Sequence, residues 1–287
     1  MSISIENYVI RKKFGEKEAH KMIKDAGFDC VDYSFYWCDD LQLLDDSYLE
    51  KAKAAREYLD QIGLVCNQAH APFDFNDSLE PDDSCKQYRD IKRAIRAAGI
   101  LGAKSIVVHA IKHSHNAGEE FLSYNEKFYK SLEETAEKSG VKIAVENLFA
   151  TDTKTGFLGS LLGSPEVLSD FITNRLGTKN FCACIDLGHA ALTGCEPYEF
   201  IDKMAKGVIG ALHVQDNDYK ADRHIPPFHG NLDWEKIAES LKNYGYNGEI
   251  NFEVVHYLNR FPTPFLPTAL KFVADIGRYL ETKVGLN

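Results

Sequence analysis

The segment VIGALHVQDNDYKADRHIPPFHGNLDW, residues 208–234, contains a strand, a long loop and the start of a helix. The apolar run 208–212 predicts a buried strand, and Asp233 and Trp234 begin the next helix. Ordinary turns use glycine, serine and asparagine, whereas this loop has two prolines and a series of imidazoles and carboxylates: His213, Asp216, Asp218, Asp222, His224 and His229. Such side chains are typical ligands of divalent metal ions. By itself, the segment is equally consistent with a solvated acidic loop.

The same strand, loop and helix succession recurs along the chain. Apolar runs predict strands at 3–8, 28–35, 64–69, 104–109, 141–146, 181–186, 207–213 and 249–254. Helical patterns follow them near 19–26, 46–62, 84–101, 118–139, from 164, and at 197–206, 233–244 and 265–283. Strands separated by helices run parallel, and continuous apolar runs indicate burial on both faces. Eight units therefore predict an α/β fold, a (β/α)₈ TIM barrel forming one domain over residues 1–287, with an open doubly wound sheet as the alternative.

Composition and charge restrict the partners. The chain of 287 residues has a net charge of −10, which disfavours binding to a polyanion such as DNA. It contains no uncharged apolar run of about 18 residues, so we expect no membrane span. No signal peptide is visible, and the seven cysteines lack CxxC spacing, so we expect a reducing, cytoplasmic location. Homo-oligomerisation is left open.

Six successive predicted strands end in a metal-ligating or acid–base side chain. These residues, with others close behind them, are His70, His109, Glu146, Asp186, His189, His213, Asp222, His224 and Glu253. A single histidine at a strand end is more often a half-buried, hydrogen-bonded residue than a ligand. Glu146 is harder to explain in this way, because burying a carboxylate is costly unless it is paired or bound to a metal. Mixed nitrogen and oxygen ligands indicate a divalent metal ion, zinc or manganese, or cobalt, rather than magnesium or calcium.

With these residues the sequence resembles, over essentially its whole length, the xylose isomerase-like TIM barrel superfamily. This superfamily contains sugar and sugar phosphate isomerases and epimerases, inosose dehydratases, and the endonuclease IV type of enzyme (AP endonuclease family 2). The resemblance to the ketose 3-epimerases implies one metal ion, held by Glu146, Asp186, His213 and Glu253. It also implies that Glu146, Glu253 and His189 are catalytic. The same resemblance implies that His70, His109 and Arg223 bind the substrate.

The endonuclease-like branch implies a different use of the same residues. There, nine ligands hold three zinc ions, with His70, His109, His189, Asp222 and His224 as a second group beside the four already named. This sequence departs from that branch at Phe73, where a tyrosine is expected, and at Ala110, where a proline is expected. Basic loops for gripping DNA are also missing. The aromatic and acidic segment 33–40, YSFYWCDD, fits a hydrophobic wall over a small polyol, or packing against the last helix.

We therefore predict a metal-dependent isomerase or epimerase of a small sugar or sugar phosphate. It would act through an enediolate, with the glutamates Glu146 and Glu253 as paired acid and base. The alternatives are an endonuclease IV-like phosphodiesterase with a trinuclear zinc site and an inosose dehydratase-like lyase. A barrel that binds sugar or metal without catalysis is a further alternative.

Overall fold

The computed structural model describes residues 2–36, 45–73, 79–111, 118–151 and 158–285. Eight parallel strands form its central sheet, in the spatial order β10-β1-β2-β3-β4-β5-β8-β9. Their bounds are β1 Ile3–Glu6, β2 Cys30–Ser34, β3 Val65–His70, β4 Ser105–Val108, β5 Lys142–Glu146, β8 Phe181–Asp186, β9 Ile209–His213 and β10 Ile250–Phe252. A parallel bridge between Val214 and Phe252 joins the two ends of the sheet. The predicted (β/α)₈ barrel is thus confirmed.

Helices alternate with the strands. Their bounds are α1 Tyr8–Phe14, α2 Glu16–Ala26, α3 Tyr48–Ile62, α4 Lys86–Leu101, α5 Gly118–Ser139, α6 Pro165–Asp170, α7 Leu187–Leu192, α8 Pro197–Lys203, α9 Trp234–Tyr244, α10 Val255–Asn259 and α11 Leu266–Val284. A π-helical segment, Phe171–Leu176, follows α6, and a 3-10 turn, Thr263–Phe265, precedes α11. Among the described helices, none combines the length and the apolar composition that crossing a bilayer requires.

Local sequence signals explain several of these boundaries. The Ser164 side chain accepts a hydrogen bond from the Val167 amide at 3.1 Å, and Pro165 stands in the first turn, so α6 begins where its capping residues predict. Helix α4 is capped at its C-terminus by Gly102, whose φ of 89° is left-handed and costs least for glycine.

Two regions differ from the sequence-based prediction. The predicted first strand, 3–8, ends at Glu6, because Tyr8 already begins α1. The segment 147–163, for which the sequence predicts neither a strand nor a helix, contains an antiparallel pair of short strands, β6 Leu148–Thr151 and β7 Leu158–Leu161. Their backbone groups hydrogen-bond to each other, and a pair of four-residue strands gives too short a pattern to be identified from the sequence.

The barrel interior has an apolar and a polar part. Small apolar side chains fill one part of it, namely Val107, Ala144, Cys182, Cys184 and Ala211. In the polar part, Asp32 Oδ2 accepts hydrogen bonds from Gln68 Nε2 and Asn251 Nδ2, each at 2.8 Å. The carboxyl ends of the strands rise beyond this interior and carry the side chains described next.

Candidate metal centre and its cavity

Four of the predicted ligands surround one point at the carboxyl end of the barrel. His213 Nδ1 lies 3.3 Å from Glu146 Oε1, 3.3 Å from Glu253 Oε2 and 4.0 Å from Asp186 Oδ2. All four side chains are buried. The quartet implied by the epimerase resemblance is therefore brought together in the structure.

Strand register explains this convergence. Asp186 and His213 are the last residues of β8 and β9 and are paired directly in the sheet. Glu146 is the last residue of β5 and pairs with Cys184 of β8, while Glu253 directly follows β10. Parallel strands end on the same side of a barrel, so residues far apart in the sequence meet at one rim.

The second predicted group adjoins the quartet. His70 Nε2 lies 3.1 Å from His109 Nε2, which lies 2.8 Å from Glu146 Oε2. On the other side, Asp222 Oδ2 lies 2.8 Å from His224 Nε2 and 3.6 Å from His189 Nε2. Among the described residues, four candidate ligand sets arise, each with atoms within 4.8 Å of one another: His70 with His109 and Glu146, His70 with His213 and Glu253, His189 with Asp222 and His224, and Glu146 with Asp186 and His189.

The electrostatics of the cluster fit a divalent cation. Burial raises the pKa of Glu146, but the charges of His213 and His109 outweigh burial and hold that pKa well below its usual range. Burial lowers the pKa of His224, but Glu253 and Asp222 raise it to about 9. Protons on imidazoles thus stabilise the ionised Glu146, whereas burial lowers the pKa of His70. A cation would replace those protons, as metal binding generally does.

Further side chains complete a cavity of about 300 Å³ over the cluster. Its described lining combines the histidines and carboxylates with Tyr36, Phe73, Leu148 and Phe149, and includes no lysine or arginine. With no basic side chain among these lining residues, neutralisation of the carboxylates depends on the imidazoles or on a metal ion.

Tyr36 belongs to the aromatic segment 33–40, whose composition fits a hydrophobic wall over a substrate. Its hydroxyl donates a hydrogen bond to Glu253 Oε1, and its ring stands edge-on to His70 at 4.4 Å between centroids. Tyr36 therefore contributes both to the wall and to the holding of Glu253. Residues 37–40 of this segment lie outside the described residues.

Two polar residues of the site do not appear among the predicted site residues. Asn147 donates from Nδ2 to the Asp186 carbonyl and accepts from the Asp186 amide, at 2.9 and 2.7 Å. Gln215 Nε2 donates to Asp222 Oδ1 at 2.7 Å and to Asp186 Oδ2 at 3.2 Å. A signal for Gln215 was present, since it stands two residues after His213 and residues at that spacing share one side of an extended chain.

Other polar residues of segment 208–234 have different roles. Arg223 is exposed and pairs with Asp218, from Nη2 to Oδ2 at 2.8 Å. It is not among the described residues that line the cavity, so the structure does not bring this predicted substrate-binding residue to the site. Asp216 accepts hydrogen bonds from the Gly230 amide and the Trp234 indole, at 3.0 and 2.9 Å, and so holds the loop together.

Two relatives in sequence are described as uncharacterized proteins. An uncharacterized protein of Methanocaldococcus jannaschii is 32% identical over 194 residues, covering 64% of this chain and 62% of that protein. An uncharacterized protein of Mycobacterium leprae is 27% identical over 176 residues, covering 57% and 60%. The chain thus spans about three fifths of the length of these curated relatives.

Solved structures extend the comparison to whole chains. A D-tagatose 3-epimerase-like protein has a TM-score of 0.72 at 23% identity, covering 99% of this chain and 100% of that chain. A D-psicose 3-epimerase with D-tagatose, from Clostridium cellulolyticum H10, has a TM-score of 0.74 at 16% identity, covering 98% and 99%. The IOLI protein with a bound zinc atom has a TM-score of 0.71 at 16% identity, covering 99% and 98%.

These structural likenesses show a shared fold, and the sequence match identifies the family. Residues 21–275 match the family described as "Xylose isomerase-like TIM barrel", which is most of the chain. The chain belongs to the xylose isomerase-like TIM barrel family.

Proposed function

We propose that this protein is a metal-dependent epimerase or isomerase of a small sugar or sugar phosphate. The observation that carries the proposal is the pair Glu146 and Glu253, each with a carboxylate oxygen 3.3 Å from the same His213 nitrogen. Two buried carboxylates thus face one point beneath a cavity of sugar size. The epimerases named among the structural neighbours support the same class of reaction.

Glu146, Asp186, His213 and Glu253 would hold the metal ion, and their mixed oxygen and nitrogen donors suit zinc, manganese or cobalt. When bound, the ion would act as a Lewis acid toward a substrate carbonyl. The zinc atom bound to the IOLI protein supports a metal in this fold. The remaining chemistry falls to the side chains of the chain itself.

Glu146 and Glu253 would exchange a proton with the carbon next to the substrate carbonyl. One carboxylate accepts that proton, which leaves an enediolate, and the other carboxyl group returns a proton. Return to the opposite face of the same carbon gives the epimer. Return to the adjacent carbon, with the hydroxyl proton passing to the former carbonyl oxygen, gives the isomer. His189, whose Nδ1 lies 3.2 Å from Glu146 Oε1, would hydrogen-bond the substrate oxygens as negative charge develops.

The direct test is solvent exchange. The protein, loaded in turn with manganese, cobalt and zinc, is incubated in D₂O with a panel of ketohexoses and their phosphates. We expect nuclear magnetic resonance to detect deuterium at the carbon that changes configuration in at least one substrate. Absence of both exchange and conversion throughout the panel, with metal shown to be bound, would contradict the proposal.

The endonuclease-like phosphodiesterase is the second candidate, supported by the assembly of His70, His109, Asp222 and His224 beside the quartet. The net charge of −10 and the cavity lining, which lacks basic side chains among the described residues, count against DNA as its substrate. Metal analysis separates the two: about one metal ion per chain favours the epimerase, and near three zinc ions favour the phosphodiesterase. H70A should leave the single metal ion of an epimerase bound and affect only its substrate binding, whereas it should cost a phosphodiesterase both zinc and activity.

An inosose dehydratase-like lyase would use the same proton abstraction and differ in expelling a β-hydroxyl group. Product analysis in the same panel, extended to a cyclic ketopolyol, distinguishes it. A product that has lost water would support the lyase, and a product with the composition of its substrate supports the epimerase or isomerase.

A further inference from the structure

A second cavity, of about 360 Å³, lies outside the barrel between the α1–α2 connection and α3. Its lining differs in charge from that of the metal centre. Among the described residues of its lining, three are cations, Arg11, Lys17 and Lys51, and one is a carboxylate, Glu16. In a chain with a net charge of −10, this is a local excess of positive charge.

Arg11 is the residue that most needs an explanation. Its side chain is only 2% exposed, and its guanidinium carbon lies 4.4 Å from the ring centroid of Tyr33. One nitrogen, Nη2, donates to the Ser34 carbonyl, whereas the buried Nε and Nη1 have no hydrogen-bond partner among the described residues. A buried guanidinium is costly unless its donors are paired, so an anionic acceptor would stabilise these two nitrogens.

Glu16 does not fully supply that anion. Its Oε2 lies 3.8 Å from Arg11 Nε, beyond hydrogen-bond distance, and its Oε1 accepts a hydrogen bond from the Tyr33 hydroxyl at 2.6 Å. At the edge of the cavity, Lys17 is exposed, while Lys51 pairs with Asp45 at 2.5 Å. The side chains thus leave positive charge for a ligand.

The backbone adds to this preference. Helix α2, of 11 residues, begins at Glu16, and its N-cap is Gly15, which has no side chain to cap the first amides. Gly15, Glu16 and Lys17 all line the cavity. The N-terminus of a helix attracts negative charge through its free amides and its dipole.

The walls of the cavity define the rest of the ligand. Tyr33 and Tyr58 contribute aromatic rings, and Ala54 and Ala55 contribute methyl groups. Flat apolar surfaces of this kind pack against a planar body. We propose that this outer cavity binds a small organic anion, with a phosphate or carboxylate group toward Arg11 and a planar apolar body between the tyrosines.

Calorimetric titration of the full-length protein with phenyl phosphate, benzoate and inorganic phosphate tests the proposal. We expect saturable binding with a dissociation constant of about 1 mM or lower for an aromatic anion, and weaker binding of inorganic phosphate. The comparison of phenyl phosphate with benzoate identifies the preferred head group. A repeat after chelator treatment should give unchanged binding, because the outer cavity holds none of the proposed metal ligands.

Matched variants locate the binding. A54F, which fills the cavity from an exposed position of α3, should weaken binding at least about tenfold, and K17A about threefold. The controls E57F and K13A change exposed residues that do not line the cavity, and both should bind like the wild type.

The proposal is overturned by three results. These are absence of saturable binding to either aromatic anion, binding that A54F leaves unchanged, and binding that disappears with chelation. Inorganic phosphate binding as tightly as phenyl phosphate would also contradict the assignment of the tyrosine walls. None of these outcomes depends on the proposed epimerase activity.

Discussion

The cavity over the metal centre, called the inner cavity below, and the outer cavity are both lined by residues in or just after β2. Their linings have opposite electrostatic character. Tyr33, within β2, lines the outer cavity, and Tyr36, two residues beyond the end of β2, lines the inner one. The inner cavity gathers carboxylates and imidazoles, and its described lining has no lysine or arginine. The outer cavity gathers Arg11 and lysines. The net charge of the whole chain therefore does not describe either site, since the proposed ligand is a metal cation in the inner cavity and an organic anion in the outer one.

The largest effect should come from removing one carboxylate of the inner cavity. E253Q should reduce turnover by about 10⁴-fold, because in the proposed mechanism Glu253 both binds the metal ion and exchanges the substrate proton. Activity on the best substrate of the ketose panel, measured at saturating metal, checks this expectation.

The control for that prediction is at the other end of the same strand. Glu249 directly precedes β10 and pairs with Lys104, from Oε1 to Nζ at 2.7 Å. E249Q should retain near wild-type turnover. If E253Q stays active, or if E249Q is equally impaired, the claim that Glu253 takes part in the reaction and Glu249 does not would be contradicted.

The two cavities also differ in how far the sequence could predict them. Each member of the inner quartet ends or directly follows a strand, so recognising eight parallel strands was enough to bring Glu146 and Glu253 together. Arg11 stands in the run Arg11-Lys12-Lys13, and nothing in that run indicates that only the first side chain is buried. Arg223 was expected at the inner site but pairs with Asp218 instead. Its position could not be predicted from the sequence, because it lies on a long loop that strand register does not determine.

The buried carboxyl of Glu6 should give the inner region a distinctive pH dependence. Burial, with the charges of Asp32 and Glu253, raises the pKa of Glu6 from 4.5 to about 8. Between these values the folded protein keeps a proton that the unfolded chain has lost, so Glu6 makes stability fall as pH rises. Relative to the wild type, E6Q should gain about 4 kcal/mol of unfolding free energy between pH 5 and 8.

Urea denaturation of the chelator-treated proteins at several pH values measures this difference. A difference between E6Q and wild type that stays constant with pH would show that Glu6 is ionised in the folded protein, and the account of the inner region would need revision.

On the outer side, His20 should give a dependence of opposite sign. The side chain is fully buried, its Nε2 lies 3.0 Å from Asn7 Nδ2, and burial lowers its pKa from 6.5 to about 4. Below pH 6.5 the unfolded chain gains a proton that the folded protein does not, so stability falls as pH drops toward 4.

H20Q keeps an acceptor for Asn7 and removes this titration. Relative to the wild type, the variant should gain about 3 kcal/mol as pH falls from 6.5 to 4. The same denaturation series measures it. Parallel pH dependence in H20Q and wild type would mean that His20 does not titrate in this window.

The smallest effect should come from the two tyrosines of the shared strand segment. Tyr36 donates a hydrogen bond to Glu253 Oε1, so Y36F should lower kcat about tenfold with little change in KM. Loss of that donor should also raise the pKa of Glu253, because a hydrogen bond to the ionised carboxylate favours the charged form. The acidic limb of the kcat/KM profile should therefore move to higher pH.

The control is Y33F, which removes a hydroxyl that contacts Glu16 of the outer cavity. This variant should leave both kcat and the acidic limb of the profile unchanged. Equal losses in Y36F and Y33F, without a shift of the profile, would mean that this strand end only supports the fold and does not position Glu253.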